Sequence, residues 1–308
     1  MKYYLGFDIG GTKCAVSVGE VSGNAVRILK RHEIPTQTSP TDTLEQLAPF
    51  VQDYQAAYPI VSAGVSCGGP LDNKTGEIMT PPNLKGWHHF NICHYIKNRF
   101  GLHAKLEIDA NACALAEWRF GAGRGTQNMI FLTFGTGMGA GLILDGKLYS
   151  GTNGNAGEVG HMRLSKTGPL GYGKHGSFEG FCSGGGIARL AKDTAQKCKN
   201  PPAYMQGEVT TKQLAEYAKS GDAFAKKIFA KSGEKLGGAL ALLVDLFNPE
   251  KIVIGGVYMR SAELLVKPMQ RKLKQEALGE SLSVCEIVRA QLSENVGDYA
   301  AIAIAMEA

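Results

Sequence analysis

The chain is 308 residues long, which at roughly 150 residues per domain predicts two domains. Its 33 Lys and Arg against 28 Asp and Glu give a formal charge of +5, spread without a basic run, which excludes a nucleic-acid tail. Forty glycines, well above the usual share of about 7%, follow no collagen period and sit beside strand-like runs in a chain that is 44% hydrophobic. They mark tight turns and close backbone approaches, not linkers.

The first residues, M-K-Y-Y-L-G-F-D-I-G, read straight into a strand, with neither an apolar signal region nor a cleavage site. The longest apolar stretch, Leu236 to Phe247, is too short for a bilayer and contains Asp245, so no membrane association is expected. Seven cysteines, odd in number and without C-x-x-C spacing, predict buried thiols in a reducing compartment, hence a cytoplasmic protein.

In chain order, Tyr3–Ile9 and Cys14–Val18 are β-rich runs joined by Gly10-Gly11-Thr12, a glycine-tipped hairpin. Leu44, Leu47, Phe50, Val51 and Tyr54 have helical spacing. Ile60–Ser66 reads as a buried strand closed by Gly68-Gly69-Pro70, Asn91–Phe100 as a helix, Ala104–Ile108 as a strand and Asp109–Phe120 as an alanine-rich helix. The opening pattern then recurs: strand Asn128–Phe134, turn Gly135-Thr136-Gly137, strand Ala140–Leu144, and Asp145-Gly146 before a short third strand. After a glycine-dense region from Gly151 to Gly186, helices are expected near Ile187–Cys198, Thr211–Ser220, Ala223–Leu246 and Ala262–Gln275. Strands are expected at Lys251–Ile254 and Val284–Arg289, and a last helix at Val296–Ala308. The chain therefore divides into two similar α/β halves.

Five constellations carry chemistry. In G-F-D-I-G-G-T-K, Gly10, Gly11, Thr12 and Lys13 offer backbone amides, a hydroxyl and a cation, as a phosphate chain requires, although a plain glycine turn explains this segment alone equally well. Gly135, Thr136 and Gly137 in T-F-G-T-G-M-G-A-G repeat the arrangement, and two such loops suit a nucleotide whose phosphates lie between the halves. Gly255-Gly256 ends a buried strand, where it admits either a flat ring or tight helix–strand packing. Asp109 begins a helix, where the dipole favours an ionised carboxylate: a base for an attacking hydroxyl, or a bare N-cap. Glu158 and His161 in G-E-V-G-H, with Glu179 further on, suit vicinal hydroxyls, or form a solvated loop. His161, His175 and Cys182 lack convincing zinc spacing.

The combination of D-I-G-G-T-K, G-G-P-L-D, P-N-L-K-G-W, D-A-N-A, G-T-G-M-G-A-G and G-E-V-G-H resembles the ROK family of sugar kinases and sugar-responsive repressors, over nearly the whole chain. The resemblance implies a two-lobed actin-like ATPase (ribonuclease H-like) α/β fold with a central interlobe cleft. Residues 1–109 plus 296–308 would form the small lobe and 110–295 the large one. It implies ATP- and Mg2+-dependent phosphorylation of a hexose 6-hydroxyl, glucose first, with an N-acetylhexosamine or fructose kinase, or a non-catalytic sugar-binding member, as alternatives. Asp109 matches the base. Gly69, Asn83, Asp109, Glu158, His161 and Glu179 match the sugar side. Gly10, Gly11, Thr12, Lys13, Gly135, Thr136, Gly137, Gly255 and Gly256 match the nucleotide side, and Asp8 matches the carboxylate that orders magnesium through water. A homodimer is common in such proteins. Repressors carry a DNA-binding domain ahead of the first hairpin, whereas five residues precede Gly6, so no nucleic-acid partner is expected.

Two departures stand out. Leu170, Tyr172 and Ser177 occupy the positions of three zinc-binding cysteines, so no structural zinc is expected, and Tyr172 and Phe178 are expected to hold that loop by packing. Ile108 stands where the family has an asparagine that bonds a sugar hydroxyl.

Overall fold

The computed structural model describes residues 1–292 and 296–308. Its first half opens with three antiparallel strands, β1 (Lys2–Ile9), β2 (Lys13–Ser22) and β3 (Ala25–Pro35). Helix α1 (Pro40–Ala57) follows, capped by Ser39, whose Oγ accepts the Asp42 amide. Strand β4 (Ile60–Cys67) returns parallel to β1. A small sheet of two-residue strands, β5 (Leu71–Asp72), β6 (Glu77–Ile78) and β7 (Phe90–Asn91), leads to α2 (Ile92–Phe100), β8 (Ala104–Ile108) and α3 (Asp109–Phe120).

The second half repeats the scheme. Strands β9 (Met129–Phe134), β10 (Met138–Leu144) and β11 (Lys147–Leu148) are antiparallel. A long insertion carries a hairpin of β12 (Leu170–Gly171) and β13 (Lys174–His175), then α4 (Phe178–Phe181), α5 (Gly184–Ala195), α6 (Thr211–Lys219) and α7 (Ala223–Phe247). Strand β14 (Lys251–Ile254), α8 (Val257–Glu276), α9 (Gly279–Ser283), β15 (Glu286–Arg289) and α10 (Val296–Ala305) complete the chain. The sheets run β3-β2-β1-β4-β8 and β11-β10-β9-β14-β15, the same order twice, as the repeated hairpin predicts.

Three apolar cores hold the halves. Leu5, Phe7, Val16, Leu44, Leu47 and Trp87 pack between the first sheet and α1 and α2. Leu132, Phe134, Phe178, Phe229 and Leu240 pack beneath the second sheet. Between the sheets lies a third core of α3, α10, Tyr4, Phe131 and Val253. Each fully buried large side chain such as Phe7 contributes roughly 1.5–3 kcal/mol.

The helices of this third core are exchanged. α3 follows the first sheet in sequence but lies on β10, where its Ala114 crowds Gly141. α10 follows the second sheet but lies on β1 and β4, and a Cβ at Gly64 would strike the Ala301 carbonyl and the Ala305 amide. Gly64 therefore sets how closely α10 approaches the sheet.

Several sequence expectations shift. β3 was not expected, because the consecutive polar residues Lys30, Arg31, His32 and Glu33 break the apolar alternation of this edge strand on both faces. α5 begins at Gly184, ahead of Ile187, and α8 at Val257, ahead of Ala262, with a non-helical kink at Ser261. The expected lobe boundary at residue 295 lies outside the described residues. Among the described residues, no helix is long and apolar enough to cross a membrane, and all seven cysteines are free.

Candidate active site

Asp109 is aimed by a buried polar anchor two residues upstream. Glu107, 2% exposed, accepts hydrogen bonds from Asn73 Nδ2, from Asn111 Nδ2 and from the Ile108 amide, each at 3.0 Å. Three donors converging on one carboxylate thus fix the β8–α3 junction. Asp109 opens into the cleft there, with Oδ1 accepting the Ala110 amide at 2.7 Å and Oδ2 left unengaged by it. Protein on most sides thins its hydration and raises its carboxyl above the usual range. The Ala110 bond opposes this rise and the nearby Glu158 carboxylate adds to it. The helix terminus therefore does not hold Asp109 below its ordinary value, as its sequence position alone suggests, because desolvation outweighs the cap.

Three of the residues expected on the sugar side, Glu158, His161 and Glu179, lie along β10. The Gly157 carbonyl accepts the Ala140 amide at 2.8 Å, seating the turn that carries Glu158 and His161, both exposed. Glu179, on the one-turn helix α4, accepts the Met138 amide at 3.1 Å beside Gly137. Asn83 lies against the other hairpin: a Cβ at Gly11 would come 2.5 Å from the Asn83 carbonyl oxygen. The Asn83 loop is anchored by fully buried Trp87, whose Nε1 donates to the Gln37 carbonyl at 3.0 Å. Gly69 precedes a cis Pro70 and packs under the half-buried Ile108, which presents an aliphatic wall one residue from Asp109. An aliphatic side chain offers a hydroxyl no partner.

Both glycine hairpins expose their tips. Gly10 donates to the Lys13 carbonyl and Gly135 to the Gly137 carbonyl, each at 3.0 Å, leaving Thr12 and Thr136 at the surface. Lys13 is not free: its ammonium pairs with Glu33 at 2.5 Å, and Lys13 with Arg31 holds the Glu33 carboxyl well below the usual range. That partner arrives from β3, the strand the sequence pattern conceals. Asp8 is half-buried at the end of β1, and desolvation together with Asp298 pushes its carboxyl up to about 6. Arg31 opposes that rise, but its guanidinium is bonded to Asp298 and Glu33, not to Asp8.

Beyond the second hairpin, a cavity of about 850 Å3 is bounded by Gly135, Thr136, the α5 N-terminus, α6, Val257 and Ser261. The Gly184 amide donates to the Gly135 carbonyl at 2.8 Å, so α5 directs its N-terminal end toward the hairpin. Arg189, Lys192, Lys212 and Arg260 give this cavity positive walls. Sequence reasoning missed these residues; the i, i+3 pair Arg189 and Lys192 after the Gly184–Gly186 run was the available signal. Gly255 and Gly256 stand beside this region. Gly256 has φ of +66° and abuts the Phe134 carbonyl, so hairpin packing accounts for that glycine.

The loop lacking the family's cysteines is held differently from the expectation. Phe178 is fully buried as expected, and Ser177 Oγ donates to the Gly171 carbonyl at 3.0 Å. Tyr172 does not pack inward: it is 47% exposed and its hydroxyl reaches Glu158. Among the described residues, no three His, Cys, Asp or Glu side chains are grouped to hold a metal ion.

Known proteins resemble this chain over nearly its whole length. The sequence profile of the ROK family matches residues 4–308. The chain is 31% identical over 312 residues to a glucokinase of Streptomyces coelicolor, covering 98% of this chain and 97% of that protein. The crystal structure of a ROK family glucokinase from Streptomyces griseus in complex with glucose and AMPPNP has a TM-score of 0.77 at 31% identity, covering 99% of this chain and 100% of that one. A ROK hexokinase from Thermus thermophilus has a TM-score of 0.83 at 29% identity, covering 99% and 98%.

Proposed function

The chain belongs to the ROK family, with its actin-like ATPase fold, and on that premise we propose that it transfers the γ-phosphoryl group of ATP to the 6-hydroxyl of a hexose, glucose first. The observation that carries this reading is Asp109: an accessible carboxylate at a helix head, in a cleft whose two hairpins are touched by Asn83 and Glu179.

Asp109 Oδ2 takes the proton of the 6-hydroxyl as the new oxygen–phosphorus bond forms and the bond from the γ-phosphorus to its bridging oxygen breaks, releasing ADP. Asn83, Glu158, His161 and Glu179 bind the ring hydroxyls, with Gly69 lining the same side. The amides of Gly10, Gly11, Gly135 and Gly137 and the hydroxyls of Thr12 and Thr136 bind phosphate oxygens. Lys13 joins them by exchanging Glu33 for phosphate. The adenosine lies in the cavity beside Gly255 and Gly256. Magnesium, when bound with ATP, would neutralise phosphate charge. Asp8 would hold it through water, and the raised carboxyl of Asp8 beside Asp298, lacking a cation of its own, fits that task. Closure of two lobes, 1–109 with 296–308 and 110–295, would align hydroxyl and phosphate and expel water.

Ile108 favours keeping N-acetylhexosamines and fructose as alternative substrates, since it withholds one hydroxyl partner. Seven free thiols suit the cytoplasm. Exposed Leu242 and Leu246, with Leu278 held beside them by the hydrogen bond its amide donates to Asp245, suit a homodimer, which light scattering would detect. A coupled assay of ADP release across a hexose panel tests the main reading: glucose should turn over fastest, and no turnover on any sugar would sink it.

A further inference from the structure

Tyr172 occupies an unusual backbone position. It and Gly173 form the two-residue turn between β12 and β13, with φ of +52° and +70°. Two successive positive φ values belong to a turn that favours Asn-Gly, and bulky side chains avoid that region. A tyrosine here is therefore not explained by the turn.

Its side chain has specific partners. The hydroxyl donates to Glu158 Oε2 at 3.1 Å. The ring lies 5.1 Å from the His161 ring, tilted by 54°. Its edge rests over Gly160, where an added Cβ would come within 3.1 Å of it. The residue is 47% exposed, while its hydroxyl end is turned toward Glu158. Desolvation of the phenol, then Glu158, with smaller contributions from Glu179 and Asp109, raise its ionisation well above the usual range, so it stays a hydrogen-bond donor. One exposed side chain thus bridges the two hydroxyl-binding residues of the G-E-V-G-H turn at a position where the family carries a zinc ligand.

We propose that Tyr172 is a positioning and specificity-determining residue of the sugar site, holding the Glu158 carboxylate and the His161 ring in the orientation that receives the sugar. This assignment rests on the hexose-kinase reading. By engaging Oε2, the phenol leaves Oε1 as the Glu158 acceptor for a sugar hydroxyl. Its ring limits rotation of His161. In this chain the hairpin delivers orientation through a side chain where relatives use a metal-stapled loop.

The test is steady-state kinetics and sugar calorimetry on the full-length Tyr172→Asn and Tyr172→Phe variants. Asparagine is favoured by the turn, so Tyr172→Asn should melt no lower than wild type. Its glucose KM and glucose Kd should rise about tenfold, as expected for losing a hydrogen bond to a charged group. Its kcat should fall by less than about threefold and its ATP KM should hold, the pattern of lost substrate binding. Tyr172→Phe, which keeps the ring, should show the same pattern to a smaller degree. Unchanged glucose KM and Kd in a folded Tyr172→Asn protein, with the wild type active, would overturn this assignment alone. A wild type that neither binds nor phosphorylates any hexose would overturn the kinase reading, and this assignment with it.

Discussion

Glu179 accepts the Met138 amide at 3.1 Å, so a residue of the hydroxyl-side set is bonded directly to the second glycine hairpin. On the proposed reading, sugar and phosphate contacts are mechanically joined at this hairpin, as Asn83 and Gly11 join them at the first.

The Glu179 bond predicts a double effect from one substitution. Glu179→Ala should raise the KM of glucose and the KM of ATP together, each by roughly tenfold, because a charge-assisted bond is lost and an amide is left without a partner. Initial-rate measurements varying each substrate in turn check this. A change confined to glucose would mean that the hairpin keeps its geometry without Glu179.

Asp109→Asn should lower kcat by about 10^2 to 10^4, the range for removing a general base, while calorimetry shows glucose binding retained. The pH dependence has a defined sign. The base acts when ionised and its carboxyl is raised, so wild-type activity should decline on acidification at a higher pH than an ordinary aspartate would give.

The raised carboxyl of Asp8, at about 6, makes a stability prediction opposite in sense to its functional one. A carboxyl whose folded value exceeds its unfolded value contributes stability at low pH that is lost as pH rises through the folded value. Asp8→Asn should therefore melt above wild type at about pH 8, by at most about 3 kcal/mol in unfolding free energy, with the gap closing toward about pH 4. The same variant should require more magnesium. Thermal melts across pH and a magnesium titration of rate separate the two effects.

Two glycines should respond oppositely to the same methyl group. Gly64→Ala forces a Cβ into the Ala301 carbonyl and should destabilise the protein by about 3 kcal/mol, the upper range for overpacking. Gly238, within α7, has nothing within 4 Å of an added Cβ, and Gly238→Ala should stabilise by up to about 1 kcal/mol. Urea unfolding of both variants provides the comparison.

The fold was legible where periodicity and punctuation agree. The β1–β2 hairpin, β4, α3 and the recurrence at β9–β10 follow from alternating apolar residues and glycine turns, and Asp109 was visible as a carboxylate at a helix start. β3 was hidden because the polar run Lys30–Glu33 breaks the apolar alternation, and with it the pairing of Glu33 to Lys13. The start of α8 was hidden by Gly255-Gly256 and the kink at Ser261. The basic cavity was illegible for a different reason: Thr136, Arg189, Lys212 and Arg260 are far apart in sequence and meet only through the packing of α5, α6 and α8 on the second sheet. Tyr172 was visible as a substitution, but the positive φ that turns it toward Glu158 belongs to a hairpin that only the backbone reveals.

The exchange of α3 and α10 has a consequence for synthesis. A chain emerges from the ribosome N-terminus first, at about 5–20 residues per second. β1 and β4 are made early, yet the helix that seats on Gly6 and Gly64 is encoded by residues 296–305. One face of the first sheet thus stays bare until residues 296–305 have been made, and this helix acts as the closing clasp of the sheet made first. A nonsense mutation just ahead of residue 296 would injure the sheet formed by the first residues of the chain.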